Sequence, residues 1–217
     1  MDELIRNLAV YALPVLFAIT MHNAAQAFAA KYFGDLTPFA AGRVTTNPLA
    51  HIDPFGTVIL PVMLYLTTGF AFGYAKPLPI DYSRLRKPKR DMAFVALAGT
   101  AANFGMALLW LLIAIFLRYF DVAEPFPNMV AQAGIRTNLV LMAFNLLPIP
   151  PMDGGRIVFS LLPNKLAYQY ARIEPFGFFI LLGLMLLKLL AYWVVPIMVV
   201  GELLLRLIVY PLTLVLT

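Results

Sequence analysis

Long apolar runs separated by short polar segments set the pattern of the chain, and the runs are too long for the strands or core helices of a soluble domain. Residues 7–30 predict a first helix. Pro14 is tolerated inside it because neighbouring helices can take up the carbonyl a proline leaves free, and Gly34 with Asp35 ends it. The stretch "AGRVTTNPLAHIDP" (41–54) sets β-branched residues among Asn-Pro and Asp-Pro breakers, which predicts a short strand and turn outside the lipid. Further apolar runs follow at 55–73, kinked at Pro61, then at 91–117 and at 129–147. One or two more spans are expected in 176–216, with a break near Val195-Pro196. A second short extended segment is expected at 74–80. Crossing the hydrocarbon takes roughly 20 helical residues. The pattern therefore predicts an all-α integral membrane protein: a polytopic bundle of five or six transmembrane helices in a single membrane-embedded domain over residues 1–217, without an internal repeat.

Composition supports the same solvent. Of the 217 residues, 62% are hydrophobic and 12% charged, and the mean hydropathy is +0.84, where soluble domains run near 45–50% apolar and about 25% charged. The net charge of +5 does not point to nucleic acid, because the basic residues sit in loops between apolar runs. The loop 74–90 alone holds six Lys or Arg against one Asp, the mark of a cytoplasmic loop. By alternation, residues 31–54 are expected on the opposite side. The first apolar run has no basic leader and cleavage site, and reads as a retained span. With no cysteine, disulfides and thiolate metal sites are excluded, so any metal must rely on His and carboxylate ligands. No inverted repeat or row of pore-lining charges suggests a transporter or channel.

Some polar residues break the apolar pattern. Glu202 and Arg206 have the i,i+4 spacing of a structural ion pair on one helix face, and Lys188 reads as a snorkelling contact. The stretch "MHNAAQAF" places His22, Asn23 and Gln26 within about one turn near the end of the first run. His22 and Gln26, at i and i+4, share a helix face, the spacing of H-E-x-x-H, in which two imidazoles hold zinc and the glutamate serves as base. A third ligand would have to be a carboxylate in an otherwise apolar stretch, and Asp153 in "PPMDGG" fits that description. Asp-Gly-Gly on its own is first a turn former.

Together, "HNAAQAFAAKYFGD", "HIDPFGT", "FGYAKPLPI", "GTAANF" and "FNLLPIPPMDGGRI" resemble, in order, the site-2 protease family of intramembrane zinc metalloproteases, over residues 10–160. The resemblance implies that His22 stands at the first zinc ligand and Asp153 at the third. Asn103 and Asn145 stand at the supporting asparagines of the family's middle and last motifs. It also exposes departures: Asn23 occupies the position of the catalytic Glu, Gln26 that of the second zinc His, and Thr100 that of a Pro. His51, in "HIDPFGT", is expected to order its loop and Asp53 to form a turn.

An amide oxygen has essentially no basicity at neutral pH, so Asn23 cannot act as acid or base, a role worth about 10²- to 10⁴-fold. Zinc prefers imidazole, thiolate and carboxylate, so Gln26 is a poor ligand. The implied reaction is hydrolysis of peptide bonds in transmembrane segments, with zinc as cofactor. In this chain the two amides predict weak zinc binding and absent or strongly impaired activity. The alternative is a non-catalytic membrane pseudoprotease that holds a transmembrane partner. The expected surroundings are the lipid bilayer of a bacterial cytoplasmic membrane.

Overall fold

A computed structural model describes residues 2–59, 62–63 and 76–216. The first helix, α1, runs Asp2–Phe33 with Pro14 inside it, and ends where Gly34 takes φ +113°, a backbone that L side chains rarely adopt. The Asp35 carboxylate then accepts the Thr37 amide at 2.9 Å and opens the single turn α2, Thr37–Ala40.

The strand expected within 41–54 does not form. In its place are a 3₁₀ turn, Pro48–Ala50, and a π-helical turn, Pro54–Ile59. The reason is local side-chain capping, which competes with strand pairing. Asn47 Oδ1 accepts the Leu49 amide at 3.1 Å and Asp53 Oδ1 accepts the Gly56 amide at 2.7 Å, the turn role expected of Asp53. The segment 76–80 is likewise irregular, with no ladder partner. Among the described residues there is no strand.

Helix α3, Pro88–Tyr119, packs against both α1 and α4, Pro125–Asn145. Small residues permit close approach of α1 and α3: Ala18, Ala27, Ala30 and Ala96 are fully buried. The larger core, built on Trp110, Ile135, Leu139, Met142 and Leu205, joins α3, α4 and the last helix. The short helices α5, Asp153–Leu161, α6, Asn164–Ala171, and α7, Gly177–Leu186, precede α8, Leu190–Leu216.

The break in the last apolar run lies at 187–189, and Pro196 is carried inside α8. Lys188 adopts φ +58°, its amide bonding Met185 O at 3.0 Å while the Leu189 amide bonds Leu184 O at 2.8 Å. These are the two crossed bonds of a Schellman cap. They stop α7 without glycine or proline.

Three helices among the described residues are long and apolar enough to cross a membrane: Ile5–Phe33, Pro88–Tyr119 and Leu190–Leu214. The fourth apolar run is helical, but Asn128, Gln132, Arg136, Asn138 and Asn145 make α4 more polar than these three. The run 55–73 lies largely outside the described residues.

The expected alternation of sides is overturned. The Arg86 amide bonds Phe33 O at 2.9 Å and the Lys76 amide bonds His51 O at 3.2 Å. Asp35 Oδ2 accepts the Asp81 amide at 2.8 Å, and Arg43 donates to Lys76 O at 2.8 Å. The loops on either side of 55–73 therefore meet at one end of the bundle, where α1 finishes and α3 begins.

Candidate metal centre and its amide substitutions

Four helices bring the polar residues of the apolar runs together. His22, Asn23 and Gln26 stand on α1, Asn103 on α3 and Asn138 on α4. Asp153 occupies the first turn of α5, where the helix N-terminus favours a carboxylate. The placement depends on missing side chains. A Cβ on Gly99 of α3 would lie 2.7 Å from His22 Cε1 and Nε2, and one on Gly154 would lie 2.1 Å from Leu146 O. Gly99 thus admits the imidazole, and Gly154 lets α5 start directly against the loop that follows α4.

Hydrogen-bond directions follow from the chemistry of each group. Asn103 Nδ2 donates to Ala18 O at 3.2 Å and to Asn138 Oδ1 at 3.1 Å, and Asn138 Nδ2 donates to Gly134 O at 2.9 Å. Asn103 Oδ1 is left as acceptor for His22 Nδ1–H at 2.7 Å. The other ring nitrogen, Nε2, faces Asp153 Oδ2 at 3.2 Å, outside hydrogen-bond geometry, so Oδ2 is a buried oxygen without a donor. Two acceptors converge there, and the approach is attractive only with a cation between them, a proton or a metal ion. Asn103 thereby fixes the tautomer and the orientation of the His22 ring, as an acceptor behind a metal-binding imidazole does.

Gln26 breaks the donor set. Its Nε2 donates to Asp153 Oδ1 at 2.8 Å. Because an ionised carboxylate only accepts, the amide must turn its NH₂ toward Asp153, placing an N–H where a third ligand should offer a lone pair. The side chains offer one imidazole and one carboxylate, short of the three protein ligands of a catalytic zinc site. The residues present do not fit that site.

Asn23 sits half-buried on the next face of α1, and its Nδ2 is buried without a partner. Thr100 Oγ1 turns back to Ala96 O at 3.4 Å within a continuous helix. Asn145 donates to Leu141 O of its own helix at 3.0 Å and not to His22 or Asn103. Asn138 is the residue of α4 that bonds Asn103. Sequence reading passed over Asn138, although an amide midway along an apolar run, seven residues before Asn145, was a usable signal.

Arg156 is the second addition. It lies one turn beyond Asp153, with Nη1 3.7 Å from Oδ1 and its guanidinium 4.9 Å from the centre of the Tyr82 ring. Burial pushes the Tyr82 phenol up to about 12, with the Arg156 charge working the other way. His51 is fully buried, and its Nε2 donates to Thr45 O at 2.8 Å, which orders its loop as expected. Glu202 and Arg206 approach to 3.9 Å across one turn of α8, the opposite-charge i,i+4 pair expected on one helix face.

The described helices thus form a bundle with His22, a set of amides and Asp153 gathered where they meet, and three of them are long and apolar enough to cross a membrane. Residues 121–187 match Peptidase family M50, a stretch that includes Asn145 and Asp153. The chain is 33% identical over 193 residues to "Putative zinc metalloprotease YwhC" of Bacillus subtilis (strain 168), covering 87% of this chain and 85% of that protein. It is 30% identical over 180 residues to "Putative zinc metalloprotease Rip2" of Mycolicibacterium smegmatis, covering 82% and 67%. A shorter match, 32% over 82 residues, links it to "Zinc metalloprotease MJ0392" of Methanocaldococcus jannaschii, covering 37% and 23%. The chain belongs to Peptidase family M50, the site-2 protease family of zinc metalloproteases. No solved structure matches it.

Proposed function

We propose that this chain is a silenced intramembrane metalloprotease, in which the zinc centre has become a hydrogen-bonded latch. The observation that carries this reading is the 2.8 Å bond from Gln26 Nε2 to Asp153 Oδ1. It joins two positions that the family uses as metal ligands and fills a coordination direction with a donor. Asn23 supplies no carboxylate to take a proton from water or return it to a leaving amine. The His22 and Gln26 contacts tie α1 to α3 and α5 without a metal, and Asn103 to Asn138 extends the tie to α4. Hydrolysis of peptide bonds in transmembrane segments, the family reaction, is absent or strongly impaired.

A second reading, a binding protein for a transmembrane partner, draws on Asn23 Nδ2. It is a buried donor without a partner at the position where an active relative would meet its substrate, and it suits the carbonyl of an unwound segment. Reverting both amides, Asn23→Glu with Gln26→His, tests the main reading through zinc content and cleavage of a membrane-spanning peptide in detergent or bilayer. Stoichiometric zinc and measurable cleavage are expected from the double revertant. If it binds no zinc and cuts nothing, more than two residues have been lost and the binding reading takes precedence.

A further inference from the structure

The end of the bundle where α1 finishes and α3 begins carries a chemistry that the silenced site does not use. Lys31, in the last turn of α1, is exposed and lies 4.1 Å from the centre of the exposed Phe39 ring. Arg90, in the first turn of α3, lies 5.4 Å from the centre of the Phe94 ring, which stacks on Phe33 at 5.8 Å. Arg86 and Lys87, also exposed, fill the stretch between them, since the Arg86 amide is bonded to Phe33 O.

The acidic groups nearby are largely committed. Asp81 holds Arg84 at 2.9 Å. Asp35 is fully buried and accepts the Thr37 and Asp81 amides. Asp91 is buried, accepts the Lys87 amide at 2.8 Å and reaches Arg90 only at 4.0 Å. Among the described residues, Lys31, Arg86 and Lys87 form no salt bridge. The opposite end differs in composition: the start of α1 and the turn after α3 hold Asp2, Glu3, Asp121 and Glu124 with Arg6 and Arg118.

We propose that this collar of Lys31, Arg86, Lys87 and Arg90 is a binding surface for the headgroups of anionic phospholipids. Its cations sit at the ends of two helices long enough to span a membrane, which is headgroup level. Tyr32, Phe39 and Phe94 are 71%, 56% and 44% exposed beside them; Tyr32 supplies the amphipathic ring of a membrane interface, and the two phenylalanines supply apolar surface. A guanidinium binds phosphate oxygens bidentately, and an ammonium holds them as a point charge. An acidic protein surface would match the charge but would leave the aromatic rings in water, so a lipid fits both features.

The test uses the full chain, purified in a neutral detergent and mixed with phosphatidylglycerol or phosphatidylcholine of the same acyl chains, with retained lipid counted by native mass spectrometry. Phosphatidylglycerol should be retained preferentially, and high salt should erase the preference. Each of Lys31→Gln, Lys87→Gln and Arg90→Gln should lower it about five-fold, the effect of one interfacial cation. Arg118→Gln, at the other end, should leave it unchanged, and helical content by circular dichroism shows which variants are folded. Should a Gln variant fail to fold, Arg86→Lys, which keeps the charge, is expected to fold and retain the preference. Equal retention of the two lipids overturns the proposal. So does a matching loss in Arg118→Gln, or displacement by soluble glycerol phosphate as effective as by lipid.

Discussion

Replacing Gln26 with histidine while leaving Asn23 in place separates the metal from the base. The substitution removes the charge-assisted bond to Asp153 Oδ1 at 2.8 Å and puts a ring nitrogen on the same face of α1 as His22, one turn on. A hydrogen bond to a charged group is worth about 1.5–3 kcal/mol, so the metal-free variant should be less stable by that order. Zinc at a four-ligand protein site contributes about 10–16 kcal/mol, or roughly 2.5–4 kcal/mol per ligand, so a third ligand should tighten binding roughly 10²- to 10³-fold. Metal content after equilibration with zinc and dialysis, with calorimetric titration in detergent, reads both numbers. Gln26→His should hold one zinc per chain, lose it when Asp153→Asn is added, and remain unable to cut peptides because position 23 is still an amide. Uptake no greater than in the parent chain, or zinc that survives Asp153→Asn, would refute the assignment of these side chains to one site.

Gly99→Ala gains up to about 1 kcal/mol of helix propensity but forces a methyl to within 2.7 Å of the His22 ring, an overpacking worth about 1–3 kcal/mol. A lowered thermal midpoint is expected, and an unchanged or raised one would show that the ring moves freely. Asn138→Leu strips Asn103 Nδ2 of one acceptor and Gly134 O of its side-chain donor, at a cost of about 1–3 kcal/mol. Asn145→Leu should stay within about 0.5 kcal/mol, and equal losses in denaturant titration would mean that the network has been misplaced. Burial, with the Arg43 charge adding to it, pushes His51 below its ordinary value, so the folded loop takes up a proton less readily than the unfolded one. Its stability is complete above about pH 6.5 and falls as pH drops below that value. Protection factors for amide exchange across 43–52, taken against the intrinsic rate at each pH, should fall between neutral and mildly acidic pH, and constant protection would contradict the buried neutral imidazole.

Much of the helical framework was legible because long apolar runs have few alternatives. The end of α1 at Gly34 follows from a backbone rule that acts locally, whereas α3 begins at Pro88, three residues before the apolar run expected at 91–117. The cap at Lys188 was not, since a lysine in the left-handed region leaves no mark of its own in a leucine-rich stretch, whereas Pro196 invited a break that the helix absorbs. In the loop 41–54, β-branched residues suggested a strand, but strand pairing depends on a partner that a sequence does not show, and Asn47 and Asp53 satisfied the backbone first. The site divides in the same way. His22 and Gln26 share a face by helical periodicity, but Gln26 and Asp153 stand 127 positions apart; Asp153 was a candidate as a carboxylate in an apolar stretch, and the family resemblance strengthened it. Asn138 belongs to no motif of the resemblance, and its bond to Asn103 shows only once α3 and α4 are packed.

The single turn from His22 to Gln26 has a consequence for charge. Phe33 lies eleven residues beyond His22, about 16 Å along the helix at 1.5 Å per residue, against a half-thickness of about 15 Å for the hydrocarbon core. The cluster therefore sits near mid-depth, where an uncompensated ion is least tolerated. A glutamate at position 23, next along α1 from His22, would add a second anion to that of Asp153 at this depth, a combination that a divalent cation neutralises. Asn23 and Gln26 together remove one anion and shield the other, so the two substitutions and the weakened metal site form one self-consistent electrostatic state.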